Sequence, residues 1–300
     1  MVINLKKRKV IFENLTGFSF VLPLIIFIII FLLYPIIASL VLSFFKWKGY
    51  GEIDFVGIQN FIKMFTVDRY FPTAINNSII FSITATLGTI LVGFILAVLI
   101  DLKIFLWKVY RFIFFLTVIL TVVVTGMLWL RIFDPYGLLN SLLDALNFTN
   151  LSRPWMGDAN IAFGIIVFVT IWQYSGFTMI FFLAGMQNIE EDIYEAARID
   201  GASTFRRIKS ITIPLLKNVF AVITMLQLIF SFKVFDIVWV MTAGGPAGGT
   251  EVLGTYLYQV AFRKSQFGGG SVIAVIMFLL ALIFAFIYVR VLGYRRMLKG

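Results

Sequence analysis

Five stretches of this 300-residue chain run for about twenty residues or more with scarcely a charge, the length at which a helix crosses the roughly 30 Å hydrocarbon core of a bilayer. In lipid the backbone must satisfy its own N–H and C=O groups, which a helix does and an open sheet does not. The stretches are residues 18–45, 79–100, 112–133, 161–186 and 271–292. A sixth, 215–240, is long enough but holds Lys233 and Asp236 near its far end. The reading is an all-α integral membrane protein, with a six-span domain over 18–293 between a basic N-terminus (1–17) and a short C-terminus (294–300). Composition agrees, because 13% charged residues cannot cover a soluble globule, whose surface needs roughly a quarter.

With no Cys and no His, the chain lacks thiol chemistry, thiolate metal sites and the commonest general base. Its net charge of +10 does not point to nucleic acid, since the bases are scattered between apolar spans. Short basic loops favour the cytoplasm. With six spans, the N-terminus, the 101–111 loop, the 187–217 loop and the end from Arg290 hold four, three, five and four bases, 16 of the 25. Both termini are therefore expected inside. The apolar stretch from Phe18 is too long for a signal-peptide core, so no cleavage is expected.

The longest polar interruption, 187–214, lies on that same side. Five acids and five bases stand between Glu190 and Lys217. Asn188 reads as an N-cap with Glu191 at the capping-box position, Gly201 as the glycine that ends the helix, and Ser203 or Thr204 as the start of a second helix toward Pro214. Between them Ala196, Ala197, Gly201 and Ala202 offer so little bulk that another protein could approach the backbone closely. That suits docking better than catalysis.

Glu195, Ala196, Ala197, Asp200, Gly201 and Ala202, followed by Ile211, Thr212, Ile213 and Pro214, resemble the EAA motif of permease subunits in binding-protein-dependent ABC importers. The likeness is to the sugar-uptake group that includes maltose and glycerol-phosphate permeases. It extends to "FVGIQNFIKMF" (Phe55–Phe65), "FDPYGLLNSLL" (Phe133–Leu143) and "VFDIVWVMTAGGPAGGTEVLGTYLYQVAF" (Val234–Phe262). The third span departs from the group by lacking the prolines often found there, which puts a kink there in doubt.

The resemblance implies a type I ABC importer permease in a bacterial or archaeal cell membrane. Its coupling loop, through Glu195, Ala197 and Gly201, would sit on a separate cytoplasmic ATPase. ATP and Mg would be bound by that partner and no cofactor by this chain, which lacks a Gly-x-x-x-x-Gly-Lys-Ser/Thr phosphate loop. The implied assembly has two ATPase copies, a second, homologous permease as heterodimer partner, and an extracytoplasmic solute-binding protein that delivers a sugar or oligosaccharide.

Two helix faces carry polar and aromatic side chains inside spans: Thr170, Gln173, Tyr174 and Phe177 in the fourth, Gln227, Phe230 and Ser231 in the fifth. These positions match those lining the sugar site of maltose-type permeases. Amides meet hydroxyls and rings stack on C–H faces, so the pattern suits a sugar path. Hydrogen bonding between helices uses the same residue types, but two such faces together favour a path. "TAGGPAGGT" (Thr242–Thr250) lacks a Lys and reads as a flexible turn. Lys233 and Asp236, three apart, could pair. An ion-coupled secondary transporter would carry a mid-span acid and often an internal repeat, and a membrane enzyme a catalytic cluster; neither is seen.

Overall fold

The computed structural model describes residues 20–291, so the terminal segments 1–17 and 294–300 lie outside the described residues. The chain forms two compact units. Of the described residues, one unit comprises 20–67 with Gln259–Met277, the other Asp68–Tyr258 with 278–291.

In the first unit, α1 (Phe20–Leu42) is strongly apolar, and no residue of its most hydrophobic window is buried within this chain. Its turn at Ile29–Leu33 is π-helical and ends two residues before Pro35. Pro35 has no N–H for the carbonyl four residues back, and a wider turn absorbs the mismatch. Beyond it, β1 (Phe45–Lys46) and β2 (Asp54–Phe55) pair antiparallel, Phe45 opposite Phe55. Asn60 fastens α2 (Gln59–Thr66) to this hairpin, its Nδ2 donating to the carbonyls of Ser43 at 3.0 Å and Phe45 at 2.9 Å.

The second unit begins with α3 (Phe71–Asp101), capped by Asp68, whose Oδ1 accepts from the N–H of Tyr70 and of Phe71 at 3.0 Å each. Next come α4 (Trp107–Ile119), α5 (Val122–Ile132) and α6 (Leu138–Ala145). α7 (Ala159–Gln187) is capped by Asp158, which accepts from Asn160 and Ile161. The polar interruption holds α8 (Glu191–Ile199) and α9 (Thr204–Leu215), and α10 (Lys217–Phe232), α11 (Asp236–Met241) and α12 (Leu253–Tyr258) follow. The residues of α13 (Phe267–Val291) are divided between the units. By length and apolarity α1, α3, α7 and α13 could each cross a membrane, and the count is six if the bent pairs α4–α5 and α9–α10 are one span each.

Two expected spans are not continuous helices. The third bends by 106° at Leu120–Thr121, where both residues are extended and Thr121 Oγ1 accepts from the N–H of Val124. The fifth, expected over 215–240, starts after a 68° bend at Leu216 and stops being helical at Lys233–Phe235. A second π turn, Ile208–Thr212, again ends two residues before a proline, Pro214.

α7 is the centre of this unit, with α3 and α4 packed on it. Lipid supplies no hydrophobic drive between helices, so close backbone approach through small residues must hold them together. α3 buries Ser78, Ser82, Ala85, Thr86, Thr89, Gly93 and Ala97. A Cβ on Gly93 would lie 2.6 Å from the Cβ of Thr178, and one on Gly176 of α7 would lie 1.9 Å from the Phe114 carbonyl oxygen of α4. Apolar side chains close the gaps, Phe81, Ile166, Val169, Ile237 and Val238 in one cluster and Ala97, Met179, Phe182, Leu216 and Ile223 in another.

The segment 242–250 is a fastened turn and not the flexible one expected. Thr242 and Thr250 hydroxyls meet at 2.7 Å, and Thr250 Oγ1 donates to the Gly245 carbonyl at 2.6 Å. Asn77 of α3 then donates to the carbonyls of Gly249 and Glu251 at 2.8 and 2.9 Å. Two hydroxyls and one amide satisfy the backbone that four glycines leave bare.

Candidate functional site

The first candidate surface is the α8–α9 hairpin. Asp200 N–H donates to Ala196 O, Gly201 N–H to Arg198 O at 3.1 Å and Ala202 N–H to Ala197 O at 2.9 Å, the paired bonds of a Schellman motif. Gly201 takes φ +74°, as the expected helix-ending glycine. Ser203 opens α9, its hydroxyl accepting from Arg206 N–H. The start of α8 differs from expectation. Asn188 is spent closing α7, with its Nδ2 on the Ala184 carbonyl at 3.0 Å, so Glu190 is the N-cap and Glu191 falls at the first helical position, where no capping box can form.

The hairpin is held by Tyr194, whose hydroxyl meets the buried Thr212 hydroxyl at 3.0 Å. Arg198 lies between Glu191 and Glu195 at 3.6 and 3.4 Å, and all three are solvent-exposed. Of the expected docking residues, Glu195, Ala196, Asp200, Gly201 and Pro214 are exposed and Ala197 and Ala202 half-buried. At the tip Ile199 and Phe205 are 86% and 74% exposed. Sequence reading missed both, although an apolar residue on either side of a polar turn was the available signal.

The second candidate is a cavity of about 210 Å³ among residues of the second unit, open to the surface where Phe230, Lys233 and Asp236 are exposed. Thr170 and Tyr174 of α7 and Gln227, Phe230 and Ser231 of α10 line it, five of the seven expected path residues. The other two do not. Gln173 is buried, with its Nε2 on the Leu120 carbonyl at 3.1 Å, where α4 gives way to α5. Phe177 turns to the ring of Phe181 and the apolar cluster around Phe182. Val122 and the whole non-helical step with its flanks, Lys233–Ile237, complete the wall. That step could not be read from a stretch taken as continuous helix. Lys233 and Asp236 form no ion pair within 4.0 Å among the described residues.

A family model described as "Binding-protein-dependent transport system inner membrane component" matches residues 89–297, taking in the hairpin and all of the cavity lining except Phe81. The chain belongs to that family. The permease is accordingly a multi-pass component of a cell membrane and a transport subunit, not an enzyme. A probable ABC transporter permease protein of Pyrococcus horikoshii is 37% identical to it, over 88% of this chain and 91% of the relative. The trehalose/maltose transport system permease protein MalF of Thermococcus litoralis is 32% identical over 98% and 99%, and the lactose transport system permease protein LacF of Rhizobium radiobacter 32% over 92% and 93%. In fold the permease matches a crystal structure of a bacterial ABC transporter involved in the import of the acidic polysaccharide alginate. The TM-score is 0.83 at 22% identity, covering 95% of this chain and 98% of the other.

Proposed function

We propose that this permease is a membrane subunit of an ATP-driven importer that takes up a sugar or oligosaccharide handed over by an extracytoplasmic solute-binding protein. The observation that carries the reading is the α8–α9 hairpin, a polar loop locked by a Schellman turn that leaves Ile199 and Phe205 bare at its tip. Exposed apolar residues on a rigid, small-residue loop suit a groove on a partner protein. In this reading the partner is the ATPase, which binds ATP and Mg, and Glu195, Ala196, Ala197, Asp200, Gly201, Ala202 and Pro214 form the docked face. Two ATPase copies need two such loops, so a second, homologous permease completes the channel. In this reading the bent pairs count as spans, giving six, and the excess of bases in the short loops supports both termini and the hairpin lying in the cytoplasm.

The sugar class is supported by relatives named for trehalose, maltose and lactose transport. Thr170, Gln173, Tyr174, Phe177, Gln227, Phe230 and Ser231 are assigned to the path, with Gln173 and Phe177 set behind its wall. The test is reconstitution of the permease in proteoliposomes with the ATPase, second permease and binding protein encoded beside it. Uptake of maltose, trehalose or lactose that needs both ATP and the binding protein is expected. Uptake that proceeds without the ATPase, driven by an ion gradient, would reject the reading.

A further inference from the structure

We infer that Lys233 and Asp236, at the non-helical step of the fifth span, are the charged groups that grip the cargo, and that they select an uncharged, polyhydroxylated ring. The inference rests on the sugar-importer reading and deepens it. Its basis is an inventory of the polar groups around the cavity. Gln227 Nε2 is bound to Thr178 Oγ1 at 3.0 Å, Thr170 Oγ1 to the Ile166 carbonyl at 2.8 Å, and Ser231 Oγ is met by Thr86 Oγ1 at 3.4 Å. Gln173, engaged with Leu120, does not line the cavity at all. Thr170 thus donates within its own helix, Gln227 donates to α7 and Ser231 accepts from α3, and none of these bonds involves a charge. Among the lining residues, the Lys233 ammonium, the Asp236 carboxylate and the Tyr174 hydroxyl have no hydrogen-bonding or ionic partner in the described residues.

An unpaired charge facing lipid is expensive, so a Lys and an Asp within a span belong where water or a ligand can reach them. The break supplies that position. Where α10 stops at Phe232 and α11 begins at Asp236, the chain leaves the helix and both side chains join the cavity wall. A carboxylate accepts from adjacent hydroxyls and an ammonium donates to a hydroxyl or ring oxygen. Phe230 and Tyr174 add aromatic rings to the same lining. One cation with one anion favours neither a uronate nor an amino sugar.

The absence of Cys allows a direct test. Lys233→Cys and Asp236→Cys are each introduced into the assembled complex in membrane vesicles and treated with a water-soluble methanethiosulfonate. The treatment is repeated with a saturating level of whichever of maltose, trehalose and lactose the wild-type complex takes up. Both positions should react, and sugar should slow the reaction several-fold. In parallel, Asp236→Asn and Lys233→Met should each lower uptake about tenfold or more, the loss for one charge-assisted hydrogen bond, with the ATPase still bound. No reaction, or reaction that sugar does not slow, overturns the inference. So does recovery of uptake in the charge-swapped double variant, because that marks the two residues as each other's partner. If uptake by the wild type proceeds without the ATPase, the importer reading itself fails.

Discussion

At the scale of single residues, two glycines show opposite reasons for having no side chain. Gly176 has a steric one, since an added Cβ would stand 1.9 Å from the Phe114 carbonyl. Gly176→Ala should force α4 off α7 and lower stability by about 1–3 kcal/mol, as overpacked cores do. Thermal unfolding in detergent measures this, and an unchanged midpoint would refute it. Gly201 has a conformational reason, with φ +74° and nothing within 4 Å of a built Cβ. Within this chain Gly201→Ala costs only the left-handed backbone, about 1 kcal/mol. Gly201→Asp should therefore fold as Gly201→Ala does yet lose the ATPase on purification, since only a bound partner feels the added bulk. Retention of the ATPase with normal uptake would remove Gly201 from the docking face.

At the scale of elements, the bend between α4 and α5 is the clearest case of a feature imposed from a distance. No proline marks it, and the Leu120 carbonyl that the bend releases is met by Gln173, 53 residues away. Gln173→Leu should leave that buried acceptor unpaired at a cost of about 1–3 kcal/mol. The matching uptake assay should show no change in which sugars are carried. A shifted sugar preference with unaltered unfolding would move Gln173 from behind the wall of the path to its surface.

The same residue explains how far the sequence was legible. Apolar length located α3 and α7 to within a few residues at their C-terminal ends, and Gly201 located the turn of the hairpin, because both are local signals. The break at Leu120, whose carbonyl is met by Gln173 from another helix, and the break at Lys233 leave no periodic trace in the sequence. Gln173 reads as a path residue because an amide that lines a path and an amide that binds another helix have one chemistry, and Gln227 does both, lining the cavity while donating to Thr178. Lys233 and Asp236 did stand out, but as an interfacial pair, since a continuous helix would have put them one turn apart at a membrane edge.

For the whole molecule, orientation and partnership are the open consequences. With the hairpin inside, a Cys at Ala202 should react with an impermeant reagent only after the cells are permeabilised. Labelling of intact cells would invert the topology. The permease should also purify with a second, different permease; a stable homodimer with full sugar-stimulated ATPase activity would contradict that. One feature of α1 bears on how such a chain changes over generations. Its most apolar window has no buried residue, so no cavity within its own subunit specifies whether Ile, Leu or Phe stands at a given place. What this chain encodes there is oiliness without spelling, and its sequence is free to drift among apolar residues wherever lipid is the only reader. Any position in α1 that resists such drift would have to be read by a different molecule.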